Sequence, residues 1–207
     1  MGVQASLIVN NPVILMKLLR LSVVCISAAL IGAVSLVAQE KKAKKAPVSP
    51  PAVATATIDG NELKITYNQP WIKDPKSGAP REVWGKLVPY GKVWRTGANA
   101  ATTLTIQNPI VIGGFELAAG KYTLFTVPTE GAGSKLIINK RTGQWGIPYK
   151  EEEEKANELA RVDLKRGKTS ASVDPFTITI EKTGAGAGRI VFAWADAQYT
   201  VAFKNKS

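Results

Sequence analysis

Apolar and polar positions follow two regimes along the chain. From Leu21 to Ala38 the run LSVVCISAALIGAVSLVA carries no charge, Lys17 and Arg20 precede it, and small residues gather toward its end. A basic start, an apolar middle and a small-residue exit predict a signal peptide over residues 1–38, cut after Ala38. Leu36 departs from the small residue usual three positions before such a cut. Met16 stands directly before Lys17 and gives a more typical start, so residues 1–15 read as a start-site misassignment. An uncleaved anchor is the alternative, because a run of this length just spans a bilayer. Val24 before Cys25, with too short an apolar stretch ahead of it, argues against lipid attachment at the cysteine. Both readings place the remainder outside the cytoplasm, in the periplasm or secreted, and give the membrane only a transient role as partner.

The second regime begins after residues 39–52, QEKKAKKAPVSPPA, whose lysine, alanine and proline favour extended, solvated backbone and predict a disordered linker. Its lysine cluster reads as a solvated tether, with contact to anionic lipid or wall polymer as the alternative. From residue 53 to 207 short alternating runs are broken by turn residues. Leu63, Ile65 and Tyr67 alternate with Lys64, Thr66 and Asn68, and Asp59-Gly60 supplies the positive φ angles of a tight turn, so a hairpin is expected over residues 54–68. Strands follow at Thr102–Gln107, Ile110–Ile112, Phe115–Leu117, Lys121–Val127 and Lys135–Lys140. Phe176–Lys182, Arg189–Trp194 and Gln198–Lys204 predict a closing meander with Asp196-Ala197 as its last turn. Glu151–Ala160 is the one helical candidate, and ELARVDLK reads better as a strand. The prediction is all-β: one jelly-roll-like β-sandwich of about nine short strands over residues 53–207, with an open barrel as the alternative.

Composition narrows the chemistry. Hydrophobic residues make up 45% and charged ones 21% of 207 residues, an ordinary globular balance. The net charge is +11. Without Lys17 and Arg20 it is +9, and Lys41, Lys42, Lys44 and Lys45 supply four of those charges, so the domain itself is moderately basic. The chain has no histidine, which excludes Ser-His-Asp and Cys-His catalysis and histidine zinc sites. Its one cysteine, Cys25, lies in the leader, so the mature protein would have neither thiol nor disulfide and no redox role. Export and lysines spread across strands, without an RNA- or DNA-binding motif, argue against nucleic acid as a partner. No cofactor or metal is implied: Glu151–Glu154 are consecutive and cannot all face one calcium ion, so they read as a solvated face. The Gly131–Gly133 and Gly184–Gly188 clusters lack the Lys-Ser/Thr of a phosphate loop and read as hairpin loops. The aspartates sit mostly at turns, where they are expected without any glycosidase role.

The densest candidate segment is Arg81–Thr103, REVWGKLVPYGKVWRTGANAATT. Arg81, Tyr90, Trp94, Arg95 and Asn99 are interleaved with glycine and proline, and suggest a polar pocket with aromatic walls for a sugar or an anionic ligand. The competing reading makes Trp84 and Trp94 core plugs, with Arg95 and Asn99 tying off loop carbonyls. Trp71 and Trp145, with Tyr67 and Tyr149, form either a sugar-stacking platform or covers over the ends of the sandwich.

Three stretches carry a resemblance: GKLVPYGKVWRTGANAATTLTI (85–106), IGGFELAAGKYTLFTVPTE (112–130) and INKRTGQWG (138–146). The chain resembles the bacterial family of domain of unknown function 2911, over most of the mature domain and fading after Lys165. The resemblance implies an exported, mostly β protein and supplies no catalytic residue. Where the family often has an acid after Gly-Ala-Asn, this chain has Ala100, so a mechanism resting on that carboxylate would not transfer. Three functions follow. The first is a non-catalytic binding module for a carbohydrate or cell-envelope component. The second is a histidine-independent hydrolase or lyase using Arg81, Tyr90, Arg95 and Asn99. The third is a structural or assembly partner presenting a bare sheet edge.

Overall fold

A computed structural model describes residues 48–145 and 149–206. The expected signal peptide and most of the expected linker lie outside the described residues. Strand β1 (Pro51–Ile58) opens the domain, so the first two residues of this strand fall in the segment read as linker. It turns through Asp59 (φ 46°) and Gly60 (φ 83°) into β2 (Asn61–Asn68), the tight hairpin that Asp-Gly requires. After a long irregular stretch come β3 (Thr102–Ile106), β4 (Ile110–Ile112), β5 (Phe115–Leu117), β6 (Gly120–Val127) and β7 (Lys135–Asn139). Helix α1 (Glu151–Lys155) precedes β8 (Glu158–Asp163), and two long strands, β9 (Lys165–Gly184) and β10 (Ala187–Asn205), close the chain.

The strands form two antiparallel sheets, one ordered β1-β2-β3-β6-β7-β8 and the other β5-β4-β10-β9. Leu63 and Ile65 of β2 and Leu104 of β3 pack with Ile112 of β4, Ile178 of β9 and Phe192 of β10 in one buried cluster. The residues between them, such as Glu62 and Lys64, face water. This is a β-sandwich, ten strands among the described residues. Asn61 fastens the two sheets at one end. Its Nδ2 donates to Asn108 O (3.1 Å) and Asn205 Oδ1 (3.0 Å), and its Oδ1 accepts from Asn108 N (2.9 Å).

The expected closing meander is instead one hairpin. Asp196 and Ala197 do not turn the chain; they lie within β10, beside Ala195 at φ 52°, where the pairing with β9 shifts register. Ala193 pairs with Thr177 and Ala195 with Val173, so Asp174, Pro175 and Phe176 on β9 stand opposite the single residue Trp194 on β10. Pro175 has no N–H to give the ladder, so a bulge there costs little pairing. The bulge turns Phe176 fully inward. Residues 165–173 pair with 195–200 beyond it, but KRGKTSASV lacks apolar alternation and gave no strand signal.

The glutamate run also differs from a wholly solvated face. Glu151, Glu152 and Glu153 are exposed, whereas Glu154 is buried. Its carboxylate accepts from Arg141 (2.9 Å) and from Asn139 Nδ2 (2.9 Å). Asn139 itself is fully buried on the outer face of β7, and Phe125 on β6 packs edge-on against Tyr149 at 5.0 Å. Residues around α1 therefore cover the outside of β6 and β7. The helix stops at Lys155 because the chain turns at Ala156 and Asn157 into the next strand, which starts at Glu158, not because the helical pattern fails.

Gly188 tests the packing between sheets. A Cβ there would stand 2.5 Å from Phe203 Cζ, 2.7 Å from Ile58 Cδ1 and 2.8 Å from the Glu181 carbonyl oxygen. Gly188→Ala should destabilise the domain by about 1–3 kcal/mol through overpacking. Urea unfolding measures it, and an unchanged midpoint would contradict the stated packing.

Candidate functional site

Residues 69–101 run from β2 to β3 without a strand of their own, so their backbone groups need other partners. The β9 bulge supplies the first set. Phe176 N donates to Pro70 O (3.0 Å), Gln69 Nε2 to Phe176 O (3.1 Å) and Ile72 N to Asp174 Oδ1 (2.9 Å). Arg81 supplies the second: its guanidinium reaches Trp71 O (2.6 Å) and Ile72 O (3.2 Å), and lies 3.8 Å from Asp74. The Ser77 and Lys76 amides donate to Asp74 and hold its carboxyl below the usual carboxylate range.

The far end of the segment is fixed to β6. Trp94 and Thr126 exchange both backbone hydrogen bonds (2.7 and 2.9 Å). Thr96 is fully buried, and its carbonyl accepts from Thr102 Oγ1 at 2.7 Å. Thr96 and Asn99 take φ of 56° and 57°, and Gly97 between them takes 152°. A β-branched residue at positive φ is rare and costs on the order of 1–3 kcal/mol, so the surrounding structure imposes this shape. At Gly97 a Cβ would lie 3.0 Å from Asn68 O and from Thr102 Oγ1, which is why glycine is needed there.

An aromatic cluster seals the segment onto the sandwich. Trp94 stacks on Trp194 (centroids 5.9 Å, planes 15° apart) and meets Phe176 edge-on at 5.0 Å. Trp84 meets Trp94 edge-on at 5.9 Å, and its Nε1 donates to Trp194 O at 3.0 Å. Both tryptophans thus serve as core plugs. The role of tying off carbonyls falls to Arg81 and to Asn99, whose Nδ2 donates to Ser49 O at 3.3 Å. Arg95 has no such role among the described residues.

Between these anchors lies an open cleft of about 280 Å³. Trp71, Lys73, Leu87, Trp94, Arg95 and Asn99 border it, Arg81 lines one wall and Trp194 lies at its base. Trp71 is 41% exposed and forms an accessible aromatic face. Arg95 is half-buried, and burial lowers its pKa from the ordinary guanidinium value. Among the described residues no carboxylate lines the cleft.

Four of the five residues singled out in the sequence, Arg81, Trp94, Arg95 and Asn99, therefore border one cleft. Tyr90 does not. It packs against Gly85, where a Cβ would lie 3.2 Å from its ring, and stands with Tyr199 beside Arg166. The set required for a histidine-independent hydrolase or lyase is not gathered in one place. The stacking platform does not assemble either. Tyr67 is a core residue accepting from Ile178 N (3.0 Å), and Tyr149 packs on Phe125, away from Trp71. Trp145 is 63% exposed and outside the cleft. Sequence reading missed Lys73, Leu87 and Trp194. Trp194 sits in the apolar strand RIVFAW, where nothing separates a cleft base from an ordinary core position.

A family model described as a protein of unknown function (DUF2911) matches residues 49–203. The match continues well past Lys165, where the likeness in motifs fades. No curated protein and no solved structure matches the chain.

Trp84→Phe keeps an aromatic plug but removes the donor to Trp194 O. It should cost about 1–3 kcal/mol, the penalty for leaving a buried carbonyl unpaired, plus some packing. Chemical denaturation with near-ultraviolet circular dichroism reads the change; a loss below about 0.5 kcal/mol would mean packing alone holds the segment.

Proposed function

The chain belongs to the DUF2911 family, and from that premise we propose that it is an exported, non-catalytic binding module whose cleft takes a carbohydrate or another cell-envelope component. The observation that carries the reading is the cleft beneath residues 70–99, where an exposed indole and unengaged polar groups face a space the size of one or two sugar rings. Trp71 offers a flat apolar face suited to a sugar ring. Asn99 spends its amide N–H on Ser49 O, and its Oδ1 has no partner among the described residues, so it can accept from a hydroxyl. The positive-φ pair Thr96 and Asn99 supports the same reading, since imposed backbone strain concentrates at ligand sites. The basic start and apolar run at Lys17–Ala38 support export.

A binding role needs rigid walls more than reactive groups, and the walls here are pinned by the β9 bulge, the Trp94–Thr126 bridge and the stacked indoles. Trp71 stands at the rim, where substitution leaves the core intact. Trp71→Ala should weaken glycan binding by about tenfold or more while shifting stability by less than about 1 kcal/mol. A glycan array followed by calorimetry on the purified protein tests both parts. A panel of neutral and acidic glycans and peptidoglycan fragments that yields no ligand would sink the proposal.

A further inference from the structure

We infer that the ligand of this cleft carries an anionic group, a carboxylate or phosphate on a hydroxylated ring, and that Arg95 is the residue that receives it. The inference rests on the cleft being the binding site and goes further by naming what must enter it. Its starting point is a comparison among the arginines. Arg81 reaches Asp74, Arg141 pairs with Glu154 at 2.9 Å, Arg161 with Glu158 at 2.7 Å and Arg189 with Glu181 at 2.7 Å. Among the described residues Arg166 has no acid and its Nε is buried without a partner, but it stands beside the Tyr199 and Tyr90 hydroxyls and outside the cleft. Arg95 has neither an acid nor a hydrogen-bond acceptor among the described residues. It is nevertheless half-withdrawn from water.

Withdrawing a guanidinium from water without a partner is unfavourable, and an entering anion would offset that penalty. A guanidinium also presents paired N–H groups that match both oxygens of a carboxylate or phosphate, so the group favours those ligands over a neutral one. The surroundings have the same sign. Among the described residues Lys73, which borders the cleft, has no ion pair, and none of those lining the cleft is acidic. Asp74, which faces Arg81 at 3.8 Å, already accepts from two backbone amides. Arg95 sits between Trp94, bridged to Thr126, and the fully buried Thr96, so its backbone is held in place before any ligand arrives.

The experiment uses matched probes on the purified protein, read by tryptophan fluorescence and calorimetry. Oligomers of galacturonate and of glucuronate are compared with the same oligomers fully methyl-esterified, which keeps the rings and removes the charge. Sugar phosphates form a separate arm that separates the two sources of anion. The acid or phosphate forms should bind about tenfold or more tighter than the neutral forms, and the advantage should shrink as salt rises. Arg95→Ala should abolish the advantage with an unchanged melting temperature, because Arg95 makes no hydrogen bond to the described residues; Arg95→Lys should keep part of it. Equal binding of charged and esterified forms, or equal weakening of both by Arg95→Ala, overturns the inference and leaves the binding reading standing. A protein that binds no probe, charged or neutral, overturns both.

Discussion

The contact on which the rest depends is the stack of Trp94 on Trp194. One indole belongs to an irregular segment that contains no strand, and the other to the longest hairpin of the sandwich. Such a segment can lie on a folded domain only if its amides and carbonyls find partners and its apolar side chains find cover. The stack provides the cover. The bulge at Asp174–Phe176 provides many of the partners, and it lies directly across β10 from Trp194. Break in the ladder and clasp on the loop are one local feature.

This explains why a lapse in sheet regularity is useful here. A continuous β9–β10 ladder would spend its N–H and C=O groups on its own neighbour and leave none for Pro70 and Gln69. The extra residues on β9 free one amide and one carbonyl at Phe176, turn its ring inward and leave Asp174 to cap Ile72. Geometry at the cleft thus follows from pairing lost in the sheet below it.

Much of the sandwich was legible because alternation reports burial directly. Leu63, Ile65 and Tyr67 all face inward, and Asp59-Gly60 turns as its residue types require. Three features were not legible, each for a physical reason. KRGKTSASV forms half of a hairpin that is largely exposed, so it needs no apolar alternation. Asp196-Ala197 has turn chemistry, but the partner strand absorbs the bend as a bulge. Glu154 looks like its three neighbours and differs only because Arg141 and Asn139 meet it from elsewhere in the chain. In the cleft, Arg81, Trp94, Arg95 and Asn99 were found by their density in one loop. Tyr90 was included by the same logic, but its ring packs on Gly85 near Tyr199 and Arg166, outside the cleft. Lys73 lies in the loop just before the dense segment, among turn residues that carry no site signal, and Trp194 comes from a strand distant in sequence that no local pattern could have joined to it.

The base of the cleft is also part of the core, and that divides its residues into two evolutionary classes. Trp194 and Trp94 cannot drift without unseating the aromatic cluster, so the depth and shape of the cavity are inherited with the fold. Trp71, Lys73 and Leu87 stand at the margin with solvent on one side. Relatives could exchange these for other types at little cost to folding, and so acquire different tastes within an unchanged vessel.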